Sequence, residues 1–345
     1  MAYRAAIVGG SGYTGAELLR LLAGHPEIEV GLVTADSNAG AKVRDLFPSL
    51  APAYPELSYE KVVTADLAGF DVVFLGLPHG ESQRVVGDLV DTVGHLVDLG
   101  ADFRLPLDVY EQWYGPGHAA PELLGRFVFG LPELYREEIA AARHVAAPGC
   151  YPTTAALALA PLLADGVVDA TGIVVDAASG VSGAGRALKT TSMFAEVDEN
   201  VVAYGLLTHR HTGEMELALG HVAGAPVQVL FTPHLVPMTR GILATCYARP
   251  TSDGLSTERL LALYREYYAD EAFVVVGDEP PATKATLGSN AAHVSVRYDP
   301  RTNTVLALGA LDNLVKGASG QALQCANLLL GLPETAGLSA IGLMP

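Results

Sequence analysis

Cysteine is scarce in this chain of 345 residues. There are three, Cys150, Cys246 and Cys325, odd in number and far apart. No CxxC pair occurs, which leaves a thiol-bound metal site with little support and fits a reducing cytoplasm. Charge is scarce too. Charged residues are 17% of the chain, below the rough quarter usual in soluble proteins. Positive charge is the scarcer kind: 21 Lys and Arg stand against 38 Asp and Glu, a net charge of −17. That argues against non-specific binding to nucleic acid or an anionic membrane, both driven by positive charge. An anionic substrate would need a local basic pocket. No uninterrupted apolar stretch reaches about 18 residues, so no transmembrane helix is expected. MAYRAAIVGG is too short in its apolar run for a signal peptide. Repeats and low-complexity tracts are lacking as well. What remains is a chain that is 50% hydrophobic, able to bury a large core and comfortable as two domains.

The first half reads as a dinucleotide fold. RAAIV (4–8) is a short apolar strand, GGSGYTG follows at once, and AELLRLLAGHP has helical periodicity through Leu18, Leu19 and Leu22 before a Gly-His-Pro stop. EIEVGLVTA then predicts a second strand running into Asp36. Gly10, Gly12 and Gly15 satisfy G-x-G-x-x-G. The physical demand is a tight turn whose backbone comes close to a pyrophosphate at a helix N-terminus. Asp36 sits where a carboxylate often holds a ribose hydroxyl and favours NAD. Ser37, Asn38 and Lys42 follow and would suit a 2′-phosphate, so the residues leave NAD and NADP both open. DVVFLGLPHG (71–80) and HLVDLGADFR (95–104) predict further buried strands. Their polar ends bring His79, Asp102 and Arg104 to the edge where open α/β sheets bind ligands. Ordinary hydrogen-bonded loop residues are the alternative there.

Cys150 stands out from the other cysteines. ARHVAA (142–147) predicts the last strand of this half, Pro148 and Gly149 break it, and TTAALALAPLLADG begins a helical pattern after Pro152. A thiol at a helix N-terminus is favoured as thiolate, Gly149 leaves room for a substrate, and nearby N–H groups suit an oxyanion. Cys246, in the strand GILATCYAR, and Cys325, in the helix GQALQCANLLL, read as small core hydrophobes. Cys150 reads as a nucleophile, with a buried structural cysteine as its alternative.

After Cys150, strands come in quick succession with few helices between them, which predicts a mixed or antiparallel sheet in a second, α+β domain. The clear helix is STERLLALYREYYADE (256–271). SGVSGAGR (179–186) is a small-residue loop ending in Arg186. THRHTGEM (208–215) carries His209 and His211, with Thr212 as an expected N-cap and Glu214 placed to orient an imidazole. Two histidines without a third ligand make a poor metal site. DNLVKGASGQA (312–322) opens a final helix expected to pack on the first domain.

GGSGYTGAELLRLL, APGCYPTTAALAL, SGVSGAGR, HRHTGEM and DNLVKGASGQA together resemble, in order and spacing, the N-acetyl-γ-glutamyl-phosphate reductase family, NADPH enzymes of arginine biosynthesis. The match runs over nearly the whole chain, and the Cys150 segment is its most specific part. The resemblance implies an α/β protein. A Rossmann dinucleotide-binding domain would span 1–149, joined by a C-terminal helical stretch 313–345. An α+β glyceraldehyde-phosphate-dehydrogenase-like domain for catalysis and oligomerisation would span 150–312. It implies NADPH-dependent reduction of N-acetyl-L-glutamyl 5-phosphate to the 5-semialdehyde through a cysteine thioester.

Cys150 would be the nucleophile, and His211 or His209 the acid/base, with a slight preference for His211. Arg186, Ser182, Tyr204 and Glu214 would serve the substrate. Gly10, Ser11, Gly12, Tyr13, Thr14 and Gly15 would hold the NADP pyrophosphate, Ser37 and Asn38 the adenosine end, and Gly76, Pro78, Ser182, Gly183 and Asn313 the rest of the cofactor. No metal is implied. The expected partners are a small acyl phosphate and further copies of the chain, as dimer or tetramer, in the cytoplasm, with no nucleic acid or membrane. Aspartate-semialdehyde dehydrogenase, a carrier-bound lysine-pathway relative and a non-catalytic NADP-binding redox sensor are the competing readings.

Overall fold

Short, wholly apolar runs become buried parallel strands in the first half. In the computed structural model, which describes residues 2–344, these are β1 (Tyr3–Val8), β2 (Ile28–Val33), β3 (Val72–Leu75), β4 (His95–Asp98), β5 (Phe127–Phe129) and β6 (His144–Ala146). They form one all-parallel sheet in the order β2-β1-β3-β4-β6-β5. Every residue of β3 is buried, as expected of a sheet covered on both faces. The helix Tyr13–Leu22 buries Leu18, Leu19, Leu21 and Leu22. The edge strand β5 was not legible in the sequence: RFVFG is three strand residues long, too short to show a period.

The second half supplies β7 (Ile173–Gly180), β8 (Val202–Ala203), β9 (Val229–Val236), β10 (Ile242–Ala248), β11 (Val274–Val276), β12 (Ala292–Asp299) and β13 (Thr304–Leu311). Their order is β11-β12-β13-β10-β7-β9-β8. The pairs β11·β12 and β7·β9 are parallel and the others antiparallel, a mixed sheet. The helix Cys150–Ala164 is apolar all round and buried from Tyr151 to Leu163, the mark of a core helix rather than a surface one. It lies against β10, β12 and β13. Gly309 on β13 allows the close approach, since a Cβ there would come within 3.0 Å of the Thr154 carbonyl oxygen. Strands β7, β10 and β13 alternate buried residues (Val175, Ala244, Ala307) with half-buried ones (Val174, Leu243, Tyr247, Leu306, Leu308), the period of two expected across a pleat.

The chain divides into two compact units. One runs to Pro148 and takes in Ala318–Leu338; the other comprises Gly149–Gly317 and the residues from Ser339 on. The sequence reading joins all of 313–345 to the first domain, whereas the structure splits that stretch. Asn313 accepts the Gly241 N–H (2.7 Å), Asn290 N–H donates to the Ser339 carbonyl (2.7 Å), and Leu343 N–H donates to the Leu287 carbonyl (2.7 Å), all within the second unit. The helix Gly320–Leu329 between them belongs to the first unit, against β4 and the helix Pro132–Ala141. Its Cys325 is fully buried, with its thiol towards the Gly130 carbonyl at 3.4 Å. No helix among the described residues is long and apolar enough to cross a membrane.

Candidate active site

In the first unit the glycines have distinct tasks. Gly9 has φ +81°, and a Cβ on it would come within 2.6 Å of the Gly76 carbonyl oxygen. A Cβ on Gly10 would strike Val33 at 2.3 Å, and one on Gly15 would strike the Gly10 backbone at 2.4 Å. These three make the turn and the helix packing possible. Gly12, the residue before the helix Tyr13–Leu22, differs: a Cβ there meets only the Gly9 carbonyl oxygen, at 4.0 Å. The turn is therefore tight behind and open in front, at the positive end of a helix. That cradle fits a dinucleotide pyrophosphate. Asn38 donates from Nδ2 to Ser11 Oγ at 3.0 Å, so the polar residues after β2 are tied to the turn. Ser37 and Asp36 are exposed beside it.

In the second unit, Cys150 is the first residue of its helix, three residues earlier than the sequence pattern suggests. Pro152 is tolerated because the N–H it lacks would have no partner in a helix's first turn. Gly149 is not room for a substrate, as expected from sequence. A Cβ there would lie 2.4 Å from His211 Nε2, so the glycine makes room for that imidazole. Gly317 backs Cys150 in the same way, its Cβ position lying 2.6 Å from Cys150 Cβ. Gly317 is in a π-helical turn, Val315–Ser319, a rare local geometry that often marks functional positions. Gly317→Ala must displace Cys150 or the turn, and kcat/KM in a purified variant is expected to fall roughly 100-fold.

The buried Glu214 carboxylate accepts the Gly149 N–H at 2.8 Å. It therefore fixes the backbone just before Cys150. Thr212 is not the N-cap expected. The helix His211–Ala223 starts two residues earlier than such a cap would set it, and Thr212 Oγ1 donates back to the His209 carbonyl at 2.8 Å.

His209 and His211 come together, ring centroids 4.8 Å apart. Their settings differ. His209 Nδ1 accepts the His211 backbone N–H at 3.2 Å, which places the imidazole proton on Nε2. Tyr151, Tyr204 and Phe231 surround its ring at 5.7, 5.5 and 5.2 Å. Burial, reinforced by His211, pulls the His209 pKa down to about 3. Because the unfolded imidazole titrates near 6.5, the unfolded chain binds this proton first on acidification. The resulting stability is full above about pH 6.5 and drains as pH falls towards 3. His209→Asn, which keeps the acceptor, is expected to show a smaller fall in urea midpoint between pH 7 and pH 5 than the wild type.

Tyr204 donates to the Tyr151 hydroxyl at 3.1 Å, and burial raises its pKa to about 12. Burial also pushes Tyr151 well up, with Tyr204 adding to it. Both phenols stay protonated as donors. Sequence reasoning missed Tyr151, although it lies within APGCYPTTAALAL, and Phe231, which lies in no motif. Asn313 joins two other expected residues: its Nδ2 donates to Ser182 Oγ at 2.9 Å, and Gly183 lies beside it. Arg186 stands exposed beyond the turn Val181–Ala184. Cys246 is fully buried and its thiol pushed up by burial, the opposite of a reactive setting.

Comparison with known proteins agrees with both halves. Residues 4–142 match the semialdehyde dehydrogenase NAD binding domain, and residues 150–313 the semialdehyde dehydrogenase dimerisation domain. Aspartate semialdehyde dehydrogenase II of Vibrio cholerae superposes with a TM-score of 0.72 over 96% of this chain and 99% of that one, at 17% identity. The enzyme from Candida albicans, solved with NADP, gives 0.71 over 95% and 99%, also at 17%. This likeness is one of fold, and it defines the class: a semialdehyde dehydrogenase architecture. Sequence carries the assignment further. N-acetyl-gamma-glutamyl-phosphate reductase of Symbiobacterium thermophilum is 52% identical over 99% of both chains, and that of Desulforudis audaxviator is 50% identical over 98% of this chain and 99% of its own. The chain belongs to the N-acetyl-gamma-glutamyl-phosphate reductase family.

Proposed function

We propose that the protein reduces N-acetyl-L-glutamyl 5-phosphate to N-acetyl-L-glutamate 5-semialdehyde, releasing phosphate, with NADPH as reductant, in arginine biosynthesis in the cytoplasm. The observation that carries the reaction type is Cys150 at a helix start, flanked by the His211 imidazole against Gly149 and by Glu214 on the Gly149 N–H. The open face of Gly12 supports a bound dinucleotide, and Ser37 and Asn38 suit the 2′-phosphate end.

The positive end of the helix favours the Cys150 thiolate. Its sulfur attacks the acyl carbon, forming a C–S bond. The carbon–oxygen bond to phosphate breaks, and phosphate leaves. First-turn N–H groups stabilise the oxyanion that forms in passing. Gly10 to Gly15 would hold NADPH, which would supply the hydride for the thioester carbon. The C–S bond then breaks and thiolate departs. His211 takes the Cys150 thiol proton as the thiolate forms and returns a proton to it once the aldehyde is released; His209, held neutral among aromatic rings, orients His211. Tyr204 and the exposed Arg186 serve the substrate's anionic groups, and Ser182, Gly183 and Asn313 the cofactor.

The half-buried Leu243, Tyr247, Leu306 and Leu308 on one face of the second sheet support assembly with further copies as a homodimer or tetramer. Intact-mass spectrometry tests the chemistry. With acyl phosphate and no reduced cofactor, an acyl adduct is expected on Cys150. An unmodified cysteine under those conditions would refute the thioester route.

A further inference from the structure

Three residues beyond Gly76, the loop after β3 carries His79, which the proposed mechanism does not use. This loop borders the glycine turn: the Gly76 N–H donates to the Val8 carbonyl at 2.7 Å, and the Gly76 carbonyl oxygen is the atom that forces Gly9 to lack a side chain. The loop is fastened from below. Asp102, fully buried, accepts the Gly80 N–H on both oxygens at 2.9 and 3.0 Å, the Gln83 N–H at 3.4 Å, and His79 Nδ1 at 2.9 Å. Gly80 supplies the φ of +86° that the turn needs. Tyr114 lies 4.7 Å from the His79 ring and stacks on Tyr110. Tyr110 in turn accepts from buried Gln83 at 2.6 Å. The imidazole side chain is 33% exposed.

A half-exposed histidine on so built a base is aimed rather than merely solvated. Asp102 accepts a hydrogen bond from His79 Nδ1–H, which leaves Nε2 as the nitrogen that meets a ligand. Topology says which part of the ligand. In the order β2-β1-β3-β4, Ser37 and Asn38 at the end of β2 mark the adenosine side of the glycine turn. The β3 and β4 ends lie on its other side, where the second half of a dinucleotide extends in open α/β sheets.

We propose that His79, positioned by Asp102, hydrogen-bonds the nicotinamide-ribose half of the bound dinucleotide. This rests on the dinucleotide reading of the first unit. Whole and half cofactors separate the possibilities. NADPH and NADH are titrated by fluorescence into the intact protein, and 2′,5′-ADP and ADP, which carry the adenosine half alone, by calorimetry. His79→Ala is expected to weaken reduced-cofactor binding at least tenfold and to leave the matching adenosine half within twofold. His79→Gln, which can still hydrogen-bond, should recover part of the loss. Asp102→Asn should weaken the whole cofactor without weakening the half. The inference is overturned if His79→Ala binds the whole cofactor as wild type does, or loses the adenosine half equally, which would make the residue a support of the turn. Wild-type protein that binds neither NADPH nor NADH would overturn the dinucleotide reading, and this inference with it.

Discussion

Cys150→Ala is expected to lower turnover by at least about 10⁴-fold, a loss of the size seen when a nucleophile is removed, while NADPH binds as in the wild type. The split follows from the architecture. Cys150 starts a helix of the second unit, and the glycine turn belongs wholly to the first. Its surroundings are buried and closely packed: Gly317 touches it from one side, and Tyr151 follows it into the core. Losing one sulfur atom from a partly exposed position should cost little stability, so an inactive variant should still melt near the wild-type temperature. Single-turnover kinetics and cofactor titration on the same sample check both halves. Turnover within about tenfold of wild type would remove Cys150 from the covalent role.

His211→Ala is expected to reduce kcat roughly 10²- to 10⁴-fold, the range for a lost general acid/base, with a small change in stability. His209→Ala should behave differently. Its ring packs among Tyr151, Tyr204 and Phe231, so removal should cost roughly 1–3 kcal/mol of stability and a smaller factor in kcat. The pH profile separates them further. The ionisation that controls kcat should persist in His209→Asn and vanish in His211→Ala. The reverse pattern would exchange the two roles.

Much of this was legible in the sequence because local demands there are strong. A glycine turn between strand and helix leaves few alternatives, and GGSGYTG stands where β1 ends and the helix Tyr13–Leu22 begins. Strands with unbroken apolar runs were clear, while three-residue β5 was not. The choice between His209 and His211 was closed to sequence. It depends on which ring lies against Gly149, a contact spanning about 60 residues of chain. Gly149 itself was misread for the same reason: its empty side is filled by a side chain from far away. Gly317 has no side chain and gains meaning only from packing, and the place of Tyr151 beside His209 and Tyr204 is set by the fold. Thr212 had the right residue type for an N-cap, yet His211 begins the helix first.

Phosphate-dependent growth of absorbance at 340 nm tests the central claim most directly. The protein is supplied with N-acetylglutamate 5-semialdehyde, phosphate, and either NADP or NAD, running the reaction backwards. Growth that needs phosphate, with NADP much preferred over NAD, is the predicted result. The same growth with NAD alone would keep the thioester chemistry and reverse the cofactor assignment. Activity with aspartate semialdehyde in place of the acetylated substrate, or none with any aldehyde, would contradict the account.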